Sequence, residues 1–229
     1  MQAWTDPLAG PVCGVVLAGG EGRRVGGVDK GLLKLNGEPL ARLALERLRP
    51  QVDQWLISAN RHLDVYAAWG AEVCVDSTSS DVGSRTDPHA GPQSQPHAAS
   101  DADRYVGPLA GFLAAEARSR CDWLATVPCD VPTFPRDLVA RLAQHAHQTQ
   151  ARLVQAAVVE DGRVRPQPVF SLWHRSLAPG LRDFVAAGGR KVGAWAESCG
   201  RSLLVFDAPD ASSAFFNINT LDDLSRAPG

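Results

Sequence analysis

The chain has 229 residues, a formal net charge of −2 and an apolar content of 45%. That charge excludes a general nucleic-acid binder, which carries a large basic excess, and the apolar share is ample for a core. No apolar run of about 18 residues occurs, so no transmembrane helix is expected.

The opening segment, MQAWTDPLAGP, has no basic stretch followed by an apolar run, so no signal peptide is expected. The first predicted strand is the apolar run Val12, Val15, Val16 and Leu17, short and continuous as in a strand covered on both faces. Ala18, Gly19 and Gly20 follow, then Gly22, Gly26 and Gly27. Residues this small let a ligand approach the backbone and let N–H groups turn inward. Arg23, Arg24 and Lys30 add positive charge, so the expected guest is an anion. The loop is not a Walker A motif: Gly22 and Gly27 have the spacing, but Val28 stands where lysine is needed. Nor does it fit the dinucleotide fingerprint, because Val25 occupies the third glycine position.

Pro39–Leu48 is apolar at helical spacing, Gln54–Ala59 reads as a strand ending at Asn60, and His62–Trp69 as a short helix. Ala71–Val75 is a third strand, ending at Asp76. This rhythm predicts a parallel sheet with helices on both faces. Residues 77–104 hold Val82 as their single strong apolar residue and predict a disordered excursion inside one domain spanning 1–229. A mobile lid or docking segment is the functional alternative for that stretch.

Order returns with GPLAG and a helix from about Leu109, then the strand Asp122–Val127 and the turn Pro128-Cys129-Asp130-Val131-Pro132. A helix is expected over Phe134–Gln148 and strands over Arg152–Val159 and Pro168–Leu172. Helices over His174–Ala187 and Val192–Glu197 follow, with a strand over Ser202–Phe206. Phe215–Ile218 reads as a last strand, and Thr220 as the N-cap of a final helix. The five cysteines, Cys13, Cys74, Cys121, Cys129 and Cys199, are odd in number and lack metal spacing, so buried free thiols are expected.

Ligands of parallel sheets collect at the carboxyl ends of the strands. There stand the Ala18–Gly22 loop, Asn60, Asp76, Asp130, and the Asn217/Asn219 pair. Asp130 follows an apolar strand between two prolines, as a Mg²⁺-binding carboxylate beside a triphosphate would. As a cap for the next helix it stands too early. Asp76 suits a ribose or base contact and equally a strand-end turn; Asn60 suits a base edge or a loop cap. Asn217 and Asn219, alternating on a strand, would face one way. Arg190 and Lys191 suit an anion or a solvated loop.

LAGGEGRRVGGVDKGLL resembles the LAGGxxxRMGGxDKxL signature of the molybdenum cofactor guanylyltransferases, with Val25 in place of methionine. The likeness extends over nearly all of the chain except the first dozen residues and 77–104. It implies an α/β fold: a Rossmann-like three-layer sandwich with a mostly parallel sheet, like the nucleotide-diphospho-sugar transferases. It implies GMP transfer from GTP to molybdenum-loaded molybdopterin, with Mg²⁺ on Asp130. It gives Lys30 and Arg23 roles at the phosphates, and Leu17, Ala18, Gly19, Gly20, Asn60 and Asp76 roles as nucleotide contacts. Arg165–Leu172, Arg190, Lys191, Asn217 and Asn219 look like the molybdopterin side. A cytoplasmic enzyme in transient contact with cofactor-insertion proteins and acceptor molybdoenzymes is implied, with neither nucleic acid nor membrane as a partner. The alternatives are a cytidylyltransferase for molybdopterin, a sugar-phosphate nucleotidyltransferase, and a non-catalytic nucleotide sensor.

Overall fold

The computed structural model describes residue 8 and residues 10–20, 29–75, 107–208 and 211–226. Residues 21–28, with Arg23 and Arg24, and residues 76–106, with Asp76, lie outside the described residues.

The first strand, β1 (Val12–Leu17), is an inner strand of a seven-stranded sheet. A tight hairpin, β2 (Lys34–Leu35) and β3 (Glu38–Pro39), stands apart as a second sheet. Helix α1 (Leu40–Leu48) leads to β4 (Gln54–Ser58), and α2 (Leu63–Ala67) to β5 (Glu72–Cys74). Helix α3 (Pro108–Arg118) precedes β6 (Trp123–Pro128), and α4 (Leu138–Thr149) precedes β7 (Leu153–Glu160). The hairpin partner β8 (Arg163–His174) is followed by α5 (Ala178–Ala186), α6 (Val192–Ser198) and β9 (Ser202–Phe206). Two short helices, α7 (Ala211–Ala214) and α8 (Leu221–Arg226), close the described chain. Strand order is β5-β4-β1-β6-β8-β7-β9, and β8 alone runs against its neighbours.

Side chains along β1 alternate between two cores, as the two-residue period of a strand requires. Val12 and Val16 pack with α1 and α4; Cys13 and Val15 pack with α3, α5 and α6. The sheet is thus covered on both faces, in the three layers expected from the β-α rhythm. Helix α3 approaches unusually closely because it presents Gly111. A methyl group there would stand 2.7 Å from both the Leu17 Cδ2 and the Ser58 Oγ.

The structure corrects four of the predicted elements. Helix α4 starts at Leu138, not Phe134, because Pro135 disfavours a helical conformation at the residue before it. The strand expected at Pro168–Leu172 is longer, beginning at Arg163 after a hairpin turn at Asp161 and Gly162, both at positive φ. A short 3₁₀ turn at Arg175–Leu177 comes before α5, so the helix expected from His174 begins at Ala178. Phe215–Ile218 is not a strand: residues 216–219 are irregular. The buried positions there are Phe215 and Ile218, three apart, and Phe215 makes edge-to-face contacts with Phe170 and Phe206. Thr220 does cap α8: the Asp223 N–H donates to its Oγ1, and the Thr220 N–H donates to the Asp223 carboxylate.

All five cysteines are free, four of them buried and Cys199 partly so. Among the described residues no helix is long and apolar enough to cross a membrane.

Candidate active site

The register of the sheet builds the site. Cys74, Ser58, Leu17 and Pro128 stand opposite one another across β5, β4, β1 and β6. The row is tied further by bonds from the N–H groups of Ala18, Ala59 and Cys129 to the carbonyls of Ser58, Cys74 and Leu17. Two residues beyond this row come Asn60, Gly19 and Asp130, which therefore leave the sheet together at its carboxyl edge. Asp76 holds the same place after β5 in sequence.

Asn60 reaches the neighbouring strand end directly. Its Nδ2 donates to the Gly19 carbonyl at 3.2 Å, and the guanidinium of Arg61 donates to the Gly20 carbonyl at 3.3 Å. Ala18 is buried, Leu17 and Gly19 are half-buried and Gly20 is exposed.

Lys30 and Asp130 come together although 100 positions separate them. The Lys30 Nζ lies 3.5 Å from the Asp130 Oδ2 and donates to the Asn219 Oδ1 at 2.8 Å. The Asn219 segment is fixed by the same loop, since the Ile218 N–H donates to the Asp130 carbonyl at 2.8 Å. Burial raises the pKa of the Asp130 carboxyl above the usual carboxylate range, and the ammonium of Lys30 works against that rise. Cys129 is buried beneath, and burial, with Asp130 beside it, pushes its thiol well up. It is a neutral neighbour and not a nucleophile.

Asp130 suits a hard divalent cation in part. It offers oxygen and sits where burial makes a lone charge costly. No group of three or more His, Cys, Asp or Glu side chains able to hold a metal occurs among the described residues. An ion there would need phosphate oxygens and water for its other ligands, the habit of Mg²⁺.

The residues expected on the second-substrate side are spread more widely. Asn219 joins the Lys30–Asp130 cluster, while Asn217 is exposed. Arg190 turns back on the end of α5, where its Nη1 donates to the carbonyls of Val185 and Gly189. Lys191 is exposed and opens α6.

One part of the site went unread in the sequence. Asp29, only 6% exposed, accepts hydrogen bonds at its Oδ1 from the Gly31 N–H at 3.0 Å and the Tyr66 hydroxyl at 2.8 Å. The available signal was the Asp-Lys-Gly order itself, an acidic residue and a glycine flanking the one lysine of the loop.

A glycine-flanked strand end, a lysine and a half-buried carboxylate gathered at one sheet edge define a nucleotidyltransferase of the α/β class. Comparison with known proteins agrees. The model of the MobA-like NTP transferase domain matches residues 14–199. The molybdenum cofactor guanylyltransferase of Acidovorax ebreus is 42% identical over 225 residues, 95% of each chain. That of Methylibium petroleiphilum is 43% identical over 219 residues, 94% of each. The chain belongs to the molybdenum cofactor guanylyltransferase family.

Solved structures share the fold at lower identity. Molybdopterin-guanine dinucleotide biosynthesis protein A of Archaeoglobus fulgidus superposes with a TM-score of 0.65 at 22% identity, covering 94% of this chain and 96% of that one. A 2-C-methyl-D-erythritol 4-phosphate cytidylyltransferase from Thermus thermophilus gives 0.63 at 14%, covering 93% and 95%. The fold is therefore shared between guanylyl and cytidylyl enzymes.

Proposed function

We propose that the chain transfers GMP from GTP to the terminal phosphate of molybdenum-loaded molybdopterin and releases pyrophosphate. A phosphate oxygen of molybdopterin bonds to the α-phosphorus. The bond from that phosphorus to the α–β bridging oxygen breaks, and its electron pair leaves with pyrophosphate. A phosphate monoester is largely ionised at neutral pH, its second pKa being about 6, so the site needs no strong base. It must instead hold two anions together and offset their charge.

The observation that carries this reading is the meeting of Lys30 and Asp130 beside the Gly19–Gly20 strand end. In this reading Lys30, with Arg23 of the glycine-rich turn, grips the triphosphate and stabilises the departing pyrophosphate. The backbone of Leu17, Ala18, Gly19 and Gly20 lies along the nucleotide. Asn60 meets the base edge, and Asp76 the ribose or the base N–H groups. Asp130 is the carboxylate that would hold Mg²⁺, which when bound supplies positive charge at the phosphates. Asn219, already on Lys30, and Asn217 take the pterin ring, while Arg190 and Lys191 face its phosphate side. Such an enzyme works in the cytoplasm and hands an oxidation-prone product to insertion proteins and acceptor molybdoenzymes.

The experiment supplies Mg²⁺, molybdenum-loaded molybdopterin and each of GTP, CTP, ATP and UTP, and measures pyrophosphate. Release with GTP alone is expected. Preference for CTP would move the chain to the cytidylyl branch, and GTP binding without release would favour a nucleotide sensor.

A further inference from the structure

The segment from Asn60 to Tyr66 bonds to residues on either side of the glycine-rich stretch, Gly19 and Gly20 before it and Asp29 after it. At the near end Asn60 and Arg61 donate to the carbonyls of Gly19 and Gly20. At the far end the Tyr66 hydroxyl donates to Asp29, the residue before Lys30. The near-end bonds come from exposed side chains to backbone carbonyls; the far-end bond is fully buried.

That buried bond is tightly specified. Tyr66 is fully buried, and burial, with Asp29 beside it, raises its pKa, so the hydroxyl stays a donor. The same Asp29 oxygen caps the single turn Lys30–Leu32 by accepting from the Gly31 N–H. Gly31 makes room for the arrangement: a methyl group there would stand 2.4 Å from the tyrosine oxygen. A buried carboxylate keeps its place only while its donors remain. Lys30 is covalently next to this carboxylate, and its ammonium is held at the other end by Asn219.

We propose that Tyr66 is a positioning residue for the transfer reaction, setting Lys30 against the phosphates through Asp29. The inference rests on the reading of Lys30 as a triphosphate contact. Lysine carries its charge on a flexible stem, so the placement of its backbone decides where the charge arrives. A misplacement of about 1 Å can cost about a hundredfold in rate.

The test is a double-mutant cycle on nucleotide transfer. Tyr66→Phe should lower kcat/KM for GTP about tenfold, with a lower melting temperature because the buried Asp29 carboxylate loses one of its donors, so the cycle and not the melting temperature separates positioning from packing. In a Lys30→Ala background the same change should cost less than about twofold, because the group being positioned is gone. Gly31→Ala should mimic Tyr66→Phe and add little to it, since the colliding oxygen is then absent. An equal loss in both backgrounds would mark a general packing role and overturn the proposal, as would full activity of Tyr66→Phe. If Tyr66→Phe does not fold, Gly31→Ala carries the same cycle with Lys30→Ala. If the wild-type chain transfers no nucleotide, the functional reading fails, and positioning is read from the affinity for Mg-GTP by calorimetry. Weakening by Tyr66→Phe in the Lys30 chain alone would support it, and equal weakening in both would overturn it.

Discussion

At the scale of single residues, Asp130 is where function and stability oppose each other. Burial makes this carboxyl bind its proton more tightly in the fold than in the unfolded chain. Its contribution therefore favours the fold below the ordinary carboxylate range and is lost as pH rises through the folded-state value. Lys30 offsets part of the cost of burying the charged form. Asp130→Asn should then leave the metal-free melting temperature unchanged or raised, while transfer falls by about a hundredfold or more. Calorimetry and turnover on the same preparation check both halves. Arg190 has the opposite character. Because it caps α5, Arg190→Ala should cost about 1 kcal/mol in urea unfolding with no substrate present. Asp130 was legible in the sequence because an apolar strand and two prolines announce it. The Arg190 cap was not, since a loop side chain folding back on the helix before it leaves no pattern distinct from a solvated loop cation.

Among the elements, those with strong local periodicity were readable: β1, α1, β4 and the capped α8 fall where the apolar pattern places them. The misread elements depend on distant partners. β8 carries Pro166 and Pro168, which argue against a strand locally. The register breaks between Gln155 and Ala156, and the freed carbonyls there are taken up by buried side chains. The carbonyl of Pro168 accepts from Gln155 and Ser171, and that of Val169 from Thr126. Only the fold brings those three together. The Asp161-Gly162 turn was a local signal, a dipeptide typical of hairpins. Gly111 offers a prediction at this scale. Gly111→Ala would press a methyl group against Leu17 and Ser58, at the strand ends that carry the site. It should destabilise the fold by roughly 1–3 kcal/mol, read as a lower denaturation midpoint, although alanine is the better helix former.

Across the whole molecule, the sheet register turns scattered sequence positions into one site. Asn60, Gly19 and Asp130 each follow an aligned row of strand ends by two residues. The sequence implied a common edge, and the register supplies the alignment. The thiols bear on the integrity of this assembly. Burial pushes the Cys13 thiol up to about 12 and raises the thiols of Cys121 and Cys129 as well. A thiol reagent at mildly alkaline pH should modify at most Cys199 in the native protein and all five cysteines in denaturant. Rapid native reaction of a second thiol would show a looser core than the one described.

Pyrophosphate release reads nucleotide transfer at the Lys30–Asp130 edge. With Mg²⁺ and molybdenum-loaded molybdopterin, GTP should give pyrophosphate and the guanine dinucleotide product, and both should fall together in Asp130→Ala. GTP turnover that survives in Asp130→Ala at the wild-type rate would contradict the account.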